Sequence, residues 1–484
     1  MQSIWFKDMK KWRFPKIKEE HYTPILIIGG GLTGILSAYE LQKNKMDFIL
    51  VEAKKVIHGA TSGTTAQISI AHDDLYNQIE KNHGIKKAHD YLAEQISGLA
   101  YFKKIIKSEN ISCDFHEEST IIGASEKKQL KKLDKLYQLI NPSFKLSKIK
   151  SDFPLKMINS LEFTNQAIIN PIKYLNGIIK VLKNKNCEIY ENSLVTKINK
   201  INGGYEVIVD NEHKIITNKI IMSCHYPFML QNLYFAKMYQ SSSYVMAFKS
   251  KVKLKANYIS LDPPYYYLRT YDKNTLLIGG SDHFTGANSN IKNCYKLLET
   301  KIKEIDKEAV ITHRWFAEDS MPINNLPFIG PYSKKHQDII LITGFQKWGF
   351  TNAHAATSKL LKILNNSYKS EKLCLIKKCP SYLRMISHSL NGLIISKLLM
   401  KSGILNDLKM DTGKAIRYQG QNILAYRENE KDYFLFKNKC THMGCSLIWN
   451  DVDKVWISRC HGTIYDKYGK VLYGPGIESL ERIN

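Results

Sequence analysis

An α/β domain of the Rossmann type, interleaved with an α+β domain and followed by a small all-β domain, is what this sequence predicts. Three observations carry that prediction. Residues 24–52 read as strand, glycine turn, helix, strand and terminal acid in one unit. A second strand–glycine–helix unit falls far downstream, around Gly344. From Asp411 onward the pattern changes to short strands and turns surrounding two loops rich in cysteine and histidine.

The first unit begins with Pro24-Ile25-Leu26-Ile27-Ile28, a continuous apolar run suited to a parallel strand buried on both faces. It leads into Gly29-Gly30-Gly31-Leu32-Thr33-Gly34. Ile35 to Asn44 has helix-compatible spacing, and Phe48 to Glu52 supplies a second strand. In such a unit Gly29 allows the tight turn, Gly31 admits a pyrophosphate to the backbone, and Gly34 permits close helix–strand packing. The helix N-terminus offers free N–H groups and a favourable dipole to phosphate, and Glu52 is placed to accept from ribose hydroxyls. The unit alone leaves FAD and NAD open. The later one, Ile339-Ile340-Leu341-Ile342, Gly344 and a helix from Thr351, resembles the far downstream unit that completes a flavin domain, and that resemblance implies FAD, since a simple NAD domain is contiguous. That helix would point its dipole at the flavin's pyrimidine end.

Composition narrows the classes. The 484 residues are 44% hydrophobic and 24% charged, an ordinary globular balance with length for two or three domains. Lys+Arg 70 against Asp+Glu 45 leaves +25, which favours acidic partners, anionic lipid surfaces or negatively charged substrates. The lysines are scattered, with no arginine-rich arm or aromatic RNA-binding signature, so nucleic acid is not an expected partner. Six of the nine cysteines are dispersed, as expected of reduced thiols in a cytoplasmic protein. Residues 1–20 lack the apolar core of a signal peptide. Leu390 to Leu405 is interrupted by Lys397 and Lys401, spacing for an amphipathic helix in peripheral contact with a membrane rather than a spanning one.

The C-terminal loops read Cys440-Thr441-His442-Met443-Gly444-Cys445 and Cys460-His461-Gly462-Thr463. A Rieske [2Fe–2S] centre holds one iron by two thiolates and the other by two imidazoles. The two loops resemble those of such a domain, and the resemblance implies ligand positions at Cys440, His442, Ser458 and His461, with Ser458 where the second thiolate belongs. A serine oxygen is a harder donor and gives up its proton far less readily than a thiol. A weakly assembled cluster of lowered potential and an empty scaffold are both open at this point.

From about Ile25 to Leu480 the chain resembles the glycine/D-amino-acid-oxidase-like FAD-dependent oxidoreductases, in the bacterial form fused to a C-terminal Rieske domain. The likeness rests on Gly59 to Gln67, Asn170 to Tyr174, Glu191 to Ile198, Gly279 to His283, Arg314 to Asp319 and Gly344 to Asn352. It implies cofactor contacts from Gly29, Gly31, Gly34, Glu52, Thr64, Thr65, Val195, Gly330, Gly344, Trp348 and Gly349. It also implies a Cys445–Cys460 disulfide tying the two loops. The implied division is an N-terminal extension (1–20), an oxidoreductase (21–372), a helical connector (373–405) and a Rieske-type domain (406–484). Within the oxidoreductase, nucleotide-binding parts fall at 21–110, 154–236 and 313–372, and substrate-binding parts at 111–153 and 237–312. The implied activity is oxidation of a small amine or amino acid, with electrons passing to the Rieske-type centre and on to an unidentified acceptor. The alternative is a flavin oxidase whose Rieske-like domain lacks a cluster and serves as a structural or docking module. Arg269 is a candidate carboxylate anchor because its planar fork binds two oxygens, with an ordinary salt bridge as the alternative. His225 and His283 are candidates to line the pocket, and Trp348 to border the flavin; a structural role is the alternative for each.

Overall fold

A computed structural model describes residues 3–151, 154–229, 231–287, 290–365, 367 and 380–483; Cys374 and Cys379 of the expected connector lie outside the described residues. The glycine unit folds as its periodicity requires: β1 (His21–Ile28), α1 (Leu32–Lys43) and β2 (Ile49–Val51). β1 pairs in parallel with β2 and with His213–Met222, which in turn pairs in parallel with Ile339–Thr343. Both faces of β1 are covered. Ile25 and Ile27 join one apolar cluster with the helices Leu32–Lys43, Pro171–Asn184 and Gly349–Thr357, while Leu26 and Ile28 join another with Val207, Val209 and Phe328. That two-sided burial is why the strand carries no polar alternation. Among the described residues eight strands make up this sheet.

A second sheet, of nine strands among the described residues, holds Met238–Lys249 and Tyr266–Asp272, both within the expected substrate-binding part 237–312. The expected division needs correction here. Val310–Pro322 pairs along its length with Met238–Lys249, and Met157–Ile168 pairs with His116–Ala124. Residues 157–168 and 313–322 fall in the expected nucleotide-binding parts, yet their cross-strand register puts them in the second sheet. Side-chain period alone does not tell a strand which sheet to join.

The C-terminal domain consists of a three-stranded sheet, from Thr412–Tyr418 to Tyr433–Lys437, and a four-stranded sheet, from Leu447–Asn450 to Val471–Tyr473. Its first hairpin turns at Gln419 and Gly420, both with positive φ (46° and 77°), the geometry of a tight two-residue turn. In the four-stranded sheet Trp449 pairs with Trp456 across its first hairpin, their rings 4.7 Å apart. The helix Pro380–Leu390 and its continuation to Leu398 lead into this domain, with Leu383, Leu398 and Leu399 exposed. Among the described residues no helix is long and apolar enough to cross a membrane.

Candidate active site and cluster loops

The glycine turn shows the crowding that reserves those positions. Gly29 has φ 108°, and a Cβ on Gly34 would sit 1.8 Å from the Gly29 carbonyl oxygen and 2.8 Å from Ser223 Oγ. Only a hydrogen fits there, so the first turn of α1 lies directly against the end of β1. Next to it opens a cavity of about 1250 Å³, bordered by both sheets and by the C-terminal domain. Gly29, Gly31, Glu52, Thr64, Thr65, Val195, Gly344, Trp348 and Gly349 line it. The early glycine turn and the late return of the chain therefore share one cleft.

Two expected contacts lie elsewhere. Gly34 is behind the wall, in the packing role its crowding explains. Gly330 pairs with Leu341 within the first sheet and does not reach the cavity. Glu52 lines the cavity but already accepts from Gly30 N and Lys54 N, each at 2.8 Å; burial pushes its carboxyl up against those bonds.

The anchor role of Arg269 is corrected. Its side chain is 2% exposed, and its guanidinium donates to the carbonyls of Thr65 (2.7 Å), Ala66 (2.8 Å), Ile169 (3.2 Å) and Thr270 (2.7 Å). Those bonds pin the loop beneath the cavity, which the side chain does not enter. His283 likewise bonds Tyr244 Oη and the Phe284 carbonyl outside the cavity. His225 does line it, with Nε2 2.9 Å from Gln240 Oε1, and burial lowers its pKa to about 4. Trp348 lies on the wall, stacked at 4.4 Å on His72, which hydrogen-bonds Tyr91, Ser69 and Thr351. Burial holds that imidazole neutral, with its pKa down at about 3.

Several residues of the site gave no signal in the sequence. Lys347 forms an ion pair with Asp282, and Asp73 and Asp319 lie close enough to act on its charge. These four residues are up to 274 positions apart and meet at one end of the cavity. Gln346 and Lys347 both have positive φ (50° and 74°), a conformation that costs about 1–3 kcal/mol per non-glycine residue and persists where surrounding structure imposes it.

The C-terminal domain forms part of the same cavity. Val471, Leu472, Tyr473 and Gly474 line it, and Lys54 Nζ donates to the carbonyls of Val471 (2.6 Å) and Leu472 (2.8 Å). The cluster loops point inward. His442 and His461 lie with ring centroids 5.0 Å apart, and both face Tyr226, at 6.2 and 6.1 Å. Tyr226 itself lines the cavity.

Cys445 and Cys460 form a disulfide between the two loops. Cys440 is buried, with Sγ 3.3 Å from Tyr465 Oη. Ser458 Oγ and His442 Nδ1 are buried without a hydrogen-bond partner, an arrangement a metal centre would satisfy. Burial lowers the pKa of His442 to about 4 and that of His461 to about 3, so both imidazoles are neutral, the form that binds metal. Among the described residues no three His, Cys, Asp or Glu side chains converge on one ion. A two-iron centre divides its donors into pairs, which here are Cys440 with Ser458 and His442 with His461. The donors fit such a centre with one hard oxygen among them. The glycine-turn cradle and long cavity likewise fit a dinucleotide.

Comparison with known proteins agrees. The family described as FAD dependent oxidoreductase matches residues 24–361, and the Rieske [2Fe-2S] domain matches residues 400–484. A Bacillus subtilis (strain 168) protein, YhfW, named for a Rieske 2Fe-2S iron-sulfur assignment, is 30% identical over 497 residues, covering 100% of this chain and 97% of that one. The gamma-glutamylputrescine oxidoreductase of Escherichia coli (strain K12) is 21% identical, covering 76% of this chain and 89% of that one. The crystal structure of glycine oxidase from Geobacillus kaustophilus shares the fold with a TM-score of 0.61 at 13% identity, covering 73% of this chain and 97% of that one.

Proposed function

The chain belongs to the FAD dependent oxidoreductase family and ends in a Rieske [2Fe-2S] domain; from that premise we propose that it oxidises a small amine or amino acid and delivers the electrons to the Rieske-type centre. When bound, FAD supplies the acceptor of a hydride, and a [2Fe–2S] centre supplies one-electron transfer. Everything else falls to the chain. The glycine turn and the N-terminus of α1 hold phosphate, the helix Gly349–Thr357 directs its positive end into the cleft, and the second sheet with the C-terminal domain excludes water.

One observation carries the coupling between the two centres. Tyr226 lines the cavity and also packs against the imidazoles of His442 and His461. Tyr226 thus touches both the cavity and the histidine pair. The E. coli relative's name, an oxidoreductase of gamma-glutamylputrescine, supports the amine side of the reading.

Ser458 favours a second reading, a flavin oxidase whose Rieske-type domain serves as wall and docking module without a cluster. Anaerobic reduction separates the two. Amines or amino acids should bleach the flavin absorbance, and low-temperature EPR of the reduced protein should then show a Rieske signal. Bleaching without iron or signal would leave the oxidase reading. No bleaching by any amine or amino acid would remove both.

A further inference from the structure

The part of the cavity around Lys347 has an unusual charge balance. Four aspartates line it (Asp73, Asp74, Asp282 and Asp319) against two lysines (Lys132 and Lys347). Each lysine already has a partner. Lys132 pairs with Asp74 at 3.1 Å, and Lys347 pairs with Asp282. Four carboxylates less two ammonium groups leaves a formal −2, and among the described residues Asp73 and Asp319 have no ion pair of their own. No arginine is among the described residues lining the cavity, and Arg269 is spent on backbone carbonyls. The site therefore lacks the planar fork that grips a carboxylate.

A second observation is independent of these charges. Gln129 lines the cavity from the helix Lys127–Ile140; it is 5% exposed, and its Oε1 has no hydrogen-bond partner. A buried acceptor without a donor costs about 1–3 kcal/mol, a cost that an N–H reaching this atom would relieve. Asp282 Oδ1 is a second buried acceptor without a partner on this wall.

We propose that this cavity selects an amine that arrives as a cation, bears no carboxylate beside its reacting carbon, and presents a further N–H to the unpartnered acceptors. This deepens the amine oxidation proposed above and rests on it. Asp73 and Asp319, whose carboxyls burial lifts to about 7 and about 6 against the pull of the shared Lys347, supply the countercharge for an ammonium that would draw their protons off, and an α-carboxylate would meet them with like charge. Oxidation of such a substrate is balanced. The ammonium gives up one proton, the adjacent C–H bond breaks with its electron pair passing as hydride to oxidised FAD, and water hydrolyses the resulting iminium to a carbonyl and an ammonium.

The test uses the full FAD-loaded chain in anaerobic stopped-flow, following flavin bleaching with substrates matched except for the carboxylate. These are 1,4-diaminobutane against ornithine, and n-butylamine against norvaline. The carboxylate-free member of each pair should reach half-saturation at concentrations at least about tenfold lower, and the diamine should outperform the monoamine. Asp319→Asn and Asp73→Asn should each raise the diamine's half-saturating concentration about tenfold or more, with flavin content unchanged. Faster reduction by the amino acids, or indifference to both substitutions, would overturn the inference while leaving amine oxidation standing. Absence of bleaching by every compound would instead overturn the amine reading itself.

Discussion

Replacing Gly34 with alanine is the most direct perturbation of the nucleotide cradle. The added Cβ would lie 1.8 Å from the Gly29 carbonyl oxygen, where ordinary contact begins near 3.4 Å. The shortfall is about 1.6 Å against backbone, which cannot rotate away as a side chain would, so α1 must withdraw from β1. Overpacking of this kind costs about 1–3 kcal/mol and more where backbone is the obstacle. In thermal unfolding each kcal/mol moves Tm by about 2–4 °C for domains of this size. The helix N-terminus would move with the helix, so FAD retention should fall together with apo-protein Tm. Gly349→Ala provides the contrast, since nothing lies within 4 Å of its built Cβ. There apo Tm should stay put, while the Tm gain on adding FAD shrinks, a tenfold weaker Kd removing about 1.4 kcal/mol of ligand stabilisation. Paired Tm scans with and without FAD give both quantities. A Gly34→Ala protein that melts and holds flavin like the unmodified chain would refute the reasoning.

Three further outcomes are expected. Ser458→Cys should raise iron and acid-labile sulfide per chain and strengthen the Rieske EPR signal; unchanged iron would refute the assignment of Ser458 as a ligand position. Glu318 is buried and hydrogen-bonded to Ser242 and Thr285, and burial lifts its pKa to about 8. The unfolded chain releases this proton near pH 4.5, so the native state binds more protons between pH 4.5 and 8 and the stabilising contribution is lost as pH rises through that window. Glu318→Gln should flatten the fall in denaturant midpoint from pH 5 to pH 8, by roughly 3–4 kcal/mol at most; an unaltered slope would refute it. Arg269→Met should release the Thr65–Ala66 loop and lower Tm by several degrees while leaving the preference between amine and amino acid unchanged, a split that a substrate anchor would not give.

What could be read from the sequence was local. The run Ile25–Ile28, the glycine spacing and the return at Gly344 each carry their own periodicity, and the C-terminal strands alternate with recognisable turns. The Cys445–Cys460 bridge was legible through resemblance, because the loop motif fixes both positions. What stayed hidden depends on distant partners. Asp73, Asp282, Asp319 and Lys347 lie in four separate segments, and nothing near any one of them announces the other three. Arg269 sits on a strand as an anchor would, and only the carbonyls of Thr65, Ala66 and Ile169 reveal its role. Tyr226 and Tyr473 likewise gain meaning only once the two domains are docked. Val310–Pro322 was misassigned for the same reason, since strand pairing is decided by the partner's edge.

The wall formed by Val471, Leu472 and Tyr473 has a consequence for how the protein is made. On the ribosome, the glycine turn emerges more than 400 residues before the segment that seals the cleft. A nascent chain can fold its first sheet and still leave the coenzyme compartment ajar. A chain truncated ahead of residue 471 would lack the Val471–Gly474 wall and leave that side of the compartment open to solvent.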